Sequence, residues 1–304
     1  MASLLSVSCG VLIAVMVFIN GRLSTALGVP AAVAVIHAGG LVITILPLVL
    51  RRENPFRRNG TPLGYYAGGL IGVLTTLFNT LAFGRISLST IIALSLLGQV
   101  LTSLAVDRFG LFGFPRRRIH AGMLAGILAV GCGILAMLRD MRADALLPAL
   151  LSLATGATVV GSRIVNARLA ERTTPRVGIF HNFLTGFAAS LILLFAYGGS
   201  GTPTAMPVPG DAWMLSGSLL GFLVILLSNW TTPRLPAFLS TLFVFVGQVF
   251  AGLALDTLIS GRFTVEQCIG GGLVIAGLVL TVLKPASASG YDARETASRP
   301  SSVP

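Results

Sequence analysis

The chain alternates between long apolar runs and short polar connections. An α-helix needs about 20 apolar residues to cross the hydrocarbon core of a bilayer. By this criterion the sequence predicts ten spanning helices, at residues 3–27, 30–50, 63–83, 87–106, 119–138, 145–172, 175–197, 212–230, 235–255 and 264–284. Turn-forming residues support these limits, since Gly28 and Pro30 follow the first run and Thr174-Pro175 follows the sixth. The predicted fold class is therefore an all-α integral membrane protein.

The apolar pattern occurs twice. Residues 72–107 align without a gap with residues 221–256, at an offset of 149 and with ten identical positions. Three pairs of equivalent positions carry glycine or polar residues: Gly98-Gln99 and Gly247-Gln248, Asp107 and Asp256, and Asn20 and Asn166 at an offset of 146. We therefore predict a first five-helix repeat in residues 1–140, a second in residues 141–284, and a disordered cytoplasmic tail in residues 285–304.

Lysine and arginine are distributed unequally between the two sides of the predicted bundle. With the N-terminus in the cytoplasm, sixteen of them lie on the inner side and five on the outer side. The inner group includes four arginines around the turn between the sixth and seventh helices: Arg163, Arg168, Arg172 and Arg176. This positive-inside bias places both termini in the cytoplasm. Because each repeat has an odd number of helices, the second repeat is predicted to be inverted relative to the first.

Composition excludes a soluble protein. Hydrophobic residues make up 54% of the chain, charged residues only 10%, and the mean hydropathy is +0.90, whereas about a quarter of a soluble domain is charged. The net charge of +11 comes from arginines in short loops, so no nucleic-acid partner is predicted. The three cysteines lie far apart in apolar runs, so we expect no metal site, disulfide framework or cofactor.

Polar side chains inside predicted spans are the candidates for function, because they are costly in hydrocarbon. Eight of them are predicted to bind substrate: Asn20, Asn166, Gln99, Gln248, Asn79, Asn229, His181 and Asn182. Asp107, Asp256 and His37 are candidates for proton or ion coupling. The alternatives are structural: interhelical hydrogen bonds for the amides and histidines, and helix capping or pairing with a loop arginine for the two aspartates.

Ordered short motifs carry a family resemblance over residues 1 to about 284. The first copy has Asn20-x-Arg22-Leu23, Gly98-Gln99, Asp107 and Gly113-x-Pro115-Arg116-Arg117, and the second has Asn166-x-Arg168-Leu169, Gly247-Gln248 and Asp256. The second copy lacks the Gly-x-Pro-Arg-Arg segment. This pattern resembles the drug/metabolite transporter superfamily, and more closely its YdcZ-type branch in a fused two-copy form. The resemblance implies membrane transport of small solutes and leaves the substrate open.

The expected function is secondary transport of a small metabolite across the bacterial inner membrane, by alternating access between two inverted repeats. Related exporters of organic cations use a central carboxylate, and this chain has no Asp or Glu in the middle of a span. A neutral, zwitterionic or anionic metabolite therefore fits better. The alternatives are a membrane-embedded enzyme acting on lipid-like substrates and a non-transporting membrane partner protein. The expected partners are the lipid bilayer and the substrate, and the protein is predicted to be a monomer or a homodimer.

Overall fold

A computed structural model describes residues 1–57, 60–113, 145–196, 209–231 and 237–260, with 124–125, 128–129, 131–132, 269, 272–273 and 276–277. Within this part of the chain there are eight α-helices: α1 (Ala2–Leu27), α2 (Val29–Leu50), α3 (Gly68–Ala82), α4 (Leu88–Phe109), α5 (Leu146–Arg172), α6 (Pro175–Ala196), α7 (Ser216–Thr231) and α8 (Ala237–Ser260). They correspond to predicted spans one to four and six to nine. The fifth and tenth predicted spans and the tail lie almost entirely outside the described residues, so the total of ten stays a prediction.

Six of the described segments are long and apolar enough to cross a membrane: Ala2–Leu27, Val29–Leu50, Leu88–Val106, Leu146–Arg172, Pro175–Ala196 and Asp211–Ser228. The predicted span 63–83 is divided, because a 3₁₀ helix over Leu63–Ala67 precedes the 15-residue α3. A second 3₁₀ helix, Pro209–Leu215, leads into α7 in the same way. Large apolar side chains such as Leu46 and Phe195 point outward, as lipid-facing positions do.

Local chemistry sets the helix ends. Gly28 separates α1 from α2 with φ of 78°, a left-handed value that favours glycine. Pro30 lies in the first turn of α2. A backbone N–H at this position would have no partner within the helix, so the lack of one in proline costs no hydrogen bond. At the start of α4, the hydroxyl of Ser87 accepts a hydrogen bond from the backbone N–H of Thr90. These ends agree with the predicted boundaries to within a few residues.

The helices pack chiefly against partners from the other predicted repeat. The largest helix–helix interface joins α1 to α8, and the equivalent interface joins α5 to α4. Likewise α1 lies against α7 and α5 lies against α3, while α2 packs against its own counterpart α6. Each interface thus has an equivalent in which the two halves of the chain are exchanged.

Glycine allows the backbones of α4 and α5 to approach closely. A Cβ atom placed on Gly98 would overlap the carbonyl oxygen of Leu153, and one placed on Gly156 would overlap the carbonyl oxygen of Ser95. Small residues permit this kind of close crossing between membrane helices. Gly98, the glycine of the repeated Gly-Gln motif, is therefore one of the two glycines that permit this crossing.

The crossing of α1 and α8 repeats this geometry. A Cβ on Gly10 would overlap the carbonyl oxygen of Val244, and a Cβ on Gly247 would overlap that of Val7. Gly10 is equivalent to Gly156, and Gly247 is equivalent to Gly98. Beside these crossings, buried side chains from α1, α4 and α8, including Phe245, form the main apolar core.

Candidate functional site

Asn166 on α5 belongs to a small polar cluster. Its side-chain nitrogen donates to Oδ1 of Asn182 on α6 at 2.9 Å and to the hydroxyl of Ser162 at 3.2 Å. Its own Oδ1 is enclosed and accepts no hydrogen bond. That oxygen lies against Gly68, where any side chain would overlap it. The predicted substrate residues Asn166 and Asn182 are thus brought together.

Asn20 occupies the equivalent place in the first half of the chain. Its Oδ1 is also enclosed, without a partner, and lies against Gly217, the counterpart of Gly68. The residues equivalent to Asn182 and Ser162 are Ile36 and Met16, which donate no side-chain hydrogen bond. The two asparagines therefore share one packing position, but only Asn166 has polar neighbours.

Gln99 and Gln248 are buried at the two glycine crossings. Within the described part of the chain, neither side-chain amide makes a hydrogen bond, yet neither is among the fully enclosed unpaired groups. Asn79 is half-buried on α3. The side chains of Asn229 and Asp107 lie outside the described residues.

His37 lies at the crossing of α2 and α6. Its Nδ1 is 2.8 Å from the carbonyl oxygen of Val33, and its ring meets the ring of Phe183 edge to face, with centroids 6.2 Å apart. His37 lies against Gly186 and Phe183 against Gly40. Because His37 and Phe183 are equivalent positions, the sequence places one polar and one apolar ring at the same crossing.

His181 lies closer to the start of α6 than Phe183 and Gly186 do, and it contacts the connection after α2. Its Nε2 is 2.8 Å from the carbonyl oxygen of Pro55. The rings of Tyr66, Phe180 and Phe56 surround the imidazole, with centroid distances between 4.7 and 5.9 Å. His181 therefore fastens the α2–α3 connection to α6, and it is separate from the His37 crossing.

An ion pair strengthens the same attachment. Both Nε and Nη2 of Arg176 donate to Oε1 of Glu53, and the hydroxyl of Thr174 donates to Oε2 at 2.6 Å. Partial burial alone would raise the pKa of Glu53, but these hydrogen bonds and the positive charges of Arg176 and Arg51 hold that pKa below its usual value. We call Glu53, Thr174 and Arg176 the loop latch, because they join an α2–α3 residue to the start of α6.

We expect Glu53→Gln to lower the apparent melting temperature at pH 7, by an amount equivalent to roughly 1–3 kcal/mol, the usual range for hydrogen bonds to a charged group. A lowered folded-state pKa stabilises the fold above the unfolded-state pKa of about 4.3, and this stabilisation is lost as pH falls through the folded-state value. Thermal unfolding of wild type and variant should therefore differ at neutral pH and converge in acid.

The control is Glu171→Gln. Glu171 pairs with Arg168, but its side chain is 63% exposed, against 16% for Glu53. Exposed ion pairs contribute about 0–1 kcal/mol, so this variant should unfold nearly as the wild type does. Equal losses in the two variants, or a Glu53→Gln effect that does not change with pH, would contradict the latch.

Asp256, near the end of α8, caps the start of α4. Its two carboxylate oxygens accept hydrogen bonds from the backbone N–H groups of Leu88, at 3.0 Å, and Ser89, at 2.7 Å. A carboxylate at a helix N-terminus satisfies unpaired donors and complements the helix dipole. Asp256 thus connects the two halves of the chain, and its role in ion coupling stays a prediction.

Arg163, counted above with the arginines around the turn between the sixth and seventh helices, is not in the turn itself. It lies within α5, which continues for nine residues to Arg172, about 13 Å along the helix axis. The side chain is half-buried. Site selection from sequence omitted this residue because it was counted as an interfacial charge. The available signal was its position inside an apolar run that is itself a predicted span.

Amide side chains and one arginine thus lie within a bundle of apolar helices, and their role in binding a small molecule stays a prediction. Among the described residues, no group of three His, Cys, Asp or Glu side chains could hold a metal ion.

Comparisons with known proteins identify the class of protein. The family described as "Putative inner membrane exporter, YdcZ" matches residues 1–136 and residues 147–280. The chain belongs to this family of multi-pass inner-membrane exporters, and it is a membrane transporter. Its fold is similar to that of a chain described only as "Crystal structure of protein", with a TM-score of 0.67, 14% identity, and coverage of 92% of this chain and 96% of that one. No curated protein matches the sequence.

Proposed function

We propose that the protein is a secondary transporter that moves a small metabolite across the inner membrane by alternating access between two inverted repeats. The observation that carries this proposal is the exchange of partners: Asn20 lies on Gly217 of the other half, and Asn166 lies on Gly68. Equivalent contacts with the halves exchanged are expected of inverted repeats, because the two sides of such a transporter interconvert around one central site.

The loop latch supports a gate at one end of the bundle. Glu53 belongs to the first half, whereas Thr174 and Arg176 belong to the second. Opening that end requires these contacts to separate, together with the contact of His181 with Pro55. The contacts that would separate at this end are therefore the ion pair and hydrogen bonds of the loop latch, together with the ring contacts around His181.

We assign substrate binding to the side-chain amides that lie between the two halves of the chain. Asn20, Asn166, Asn182, Gln99 and Gln248 are buried on helices that pack across the halves. Asn79, Asn229 and His181 complete this proposed set. Coupling to protons or ions is assigned to Asp107, Asp256 and His37.

We propose that both termini lie in the cytoplasm, which places the loop latch on the cytoplasmic side. Removing Arg163 from the inner count leaves fifteen lysines and arginines against five, so the positive-inside bias is unchanged. A reporter that fluoresces only in the cytoplasm, fused after residue 304, should be active, and an alkaline phosphatase fusion at the same place should be inactive. The reverse result would invert the assignment.

A reversible cross-link across the latch tests alternating access. The double variant Glu53→Cys and Arg176→Cys is made after replacing Cys9, Cys132 and Cys268 with alanine. Proteoliposomes are loaded with a defined mixture of amino acids, organic acids and nucleosides, and mass spectrometry follows the compounds that leave. We expect flux of at least one compound, its loss by about tenfold or more on oxidation, and its return on reduction.

The matched control is Arg168→Cys with Glu171→Cys, in which the disulfide joins two residues of α5 and spans no gate. Oxidation should leave its flux unchanged. Flux that persists through a fully cross-linked latch would contradict a gate at this end. If no compound leaves proteoliposomes that contain the reduced, correctly folded protein, transport of this class of metabolite is contradicted.

A further inference from the structure

We propose that Arg163 forms an anion subsite that binds the carboxylate of a monocarboxylate substrate. This proposal rests on the proposed transport function and names its substrate class. Arg163 takes part in no contact described above for the loop latch or the Asn166 cluster, and it was absent from the residues selected by sequence.

The position of Arg163 on α5 directs its side chain into the bundle. Gly156 lies seven residues earlier, which is two helical turns, and Ser152 lies eleven residues earlier, which is three. Gly156 packs on the backbone of α4, and Ser152 is completely buried. The outward side of α5 carries Leu150, which is 54% exposed. Arg163 is therefore on the inward side and does not face lipid.

The surroundings of Arg163 come from both halves of the chain. Cys9 on α1, a residue that is 0% exposed, lies within the electrostatic range of the Arg163 guanidinium. The Cys9 sulfur lies 3.6 Å from the hydroxyl of Ser228 and 3.8 Å from the carbonyl oxygen of Val224, both on α7. Arg163 of the second half and Cys9 of the first are therefore near enough for their charges to interact, and Cys9 in turn contacts α7.

No residue in the described part of the chain neutralises this arginine. The ion pairs there are Glu53 with Arg176 and Glu171 with Arg168, and Arg163 makes neither an ion pair nor a hydrogen bond with any described residue. An unpaired charge inside a membrane protein is costly. An anion that entered between the halves would balance a charge that no described residue balances, and it would accept the guanidinium hydrogen bonds.

The chemistry of one guanidinium favours a carboxylate. Its planar fork donates two parallel hydrogen bonds to the two oxygens of a carboxylate. A single positive charge balances a single negative charge, whereas a dianion would keep an uncompensated charge in the apolar bundle. The equivalent position on α1 is Val17, which is buried in the apolar core. The two halves therefore provide one such subsite between them.

Matched acids and amides test this assignment. Acetate, lactate and benzoate are compared with acetamide, lactamide and benzamide, at constant pH and ionic strength, by thermal shift of detergent-purified protein. A ligand that binds the folded state raises the melting temperature with its concentration. We expect at least one acid to bind more tightly than its amide. Arg163→Gln should weaken that binding by at least about tenfold, the loss typical of a charged hydrogen-bonding pair.

Arg168→Gln is the control, since it removes a neighbouring arginine of the same helix that pairs with Glu171; its acid binding should equal that of wild type. Arg163→Lys keeps the charge without the fork and should bind the acid with intermediate strength. If Arg163→Gln does not purify as a monodisperse protein, the comparison of acid binding by Arg163→Lys and by wild type tests the proposal. The proposal is overturned if no acid binds better than its amide, or if the Arg163 variants bind the acid as wild type does.

Flux through proteoliposomes separates this proposal from the function on which it rests. Latch-sensitive flux of neutral solutes, with no preference for acids, overturns the anion subsite and leaves transport intact. Binding of an acid through Arg163 without flux of any solute overturns transport, and with it the assignment of the acid as substrate.

Discussion

A single methyl group at Gly156 is expected to cost about 3 kcal/mol or more of folding free energy. In Gly156→Ala the added Cβ would overlap the backbone of Ser95, Gln99 and Gly98 on α4. Backbone atoms cannot rotate away as a side chain does, so α4 and α5 would have to separate and expose their interface. Overpacking of ordinary cores costs about 1–3 kcal/mol, and a backbone clash belongs at or above that range.

The matched control is Gly161→Ala on the same helix. The nearest atom to its Cβ would be Cγ2 of Ile71 at 3.8 Å, an ordinary van der Waals contact. Alanine is also the better helix former, by roughly 1 kcal/mol. We therefore expect this variant to melt at or slightly above the wild-type temperature, and Gly156→Ala to melt well below it or to purify in low yield. Similar melting temperatures for the two variants would contradict the close crossing.

The equivalent substitution in the other half should behave in the same way. Gly10→Ala would place its Cβ on the carbonyl oxygen of Val244, and α1 contributes to the largest interface in the described bundle. The destabilisation should match that of Gly156→Ala within about 1 kcal/mol, since both arise from one packing arrangement.

The sequence predicts the crossings of α4 and α5 and of α1 and α8 only in part. Gly98 and Gly247 were found because they repeat beside glutamine, and their close approach follows from the small side chain. Gly10 and Gly156, which complete the same crossings, lack the adjacent amide that marks Gly98 and Gly247. Periodicity locates helices, but the partner of each glycine depends on tertiary packing.

The sequence predicted which residues belong to the candidate site better than it predicted which residues they contact. Asn20 and Asn166 were selected by repetition and do occupy equivalent places, yet Asn166 alone has Asn182 and Ser162 as partners. Helices separated by a tight turn bring Asn182 to Asn166, and the sequence does not specify which side of each helix meets the other. Repetition therefore predicts position but not local environment.

Arg163 and Glu53 were missed for opposite reasons. Counting arginines toward membrane orientation treats each one near a helix end as interfacial, and Arg163 was counted in this way although it lies inside the predicted span 145–172. Glu53 lies outside every predicted span, so a search for intramembrane polar groups could not select it. Its importance comes from two residues more than 120 positions away, Thr174 and Arg176, a pairing that only the packing of α2 on α6 produces.

Removing the carboxylate of Asp256 is the second change expected to have a large effect. In Asp256→Ala the backbone N–H groups of Leu88 and Ser89 lose their acceptor at the start of α4. Leaving buried donors unpaired costs about 1–3 kcal/mol each, and more when the lost acceptor is charged. We expect a loss of about 3 kcal/mol in total, measured as a fall in the apparent melting temperature of the purified protein.

Two further variants distinguish loss of the Asp256 cap from a general destabilisation of α8. Thr257→Ala removes the adjacent hydroxyl, which donates only to Leu253 within the same helix, and should have little effect. Asp256→Asn keeps one carbonyl acceptor and should lie between Asp256→Ala and wild type. If Asp256 served ion coupling alone, the alanine and asparagine variants would melt as wild type and lose only ion-dependent flux. A graded fall in melting temperature identifies the carboxylate as the cap that joins the end of α8 to the start of α4.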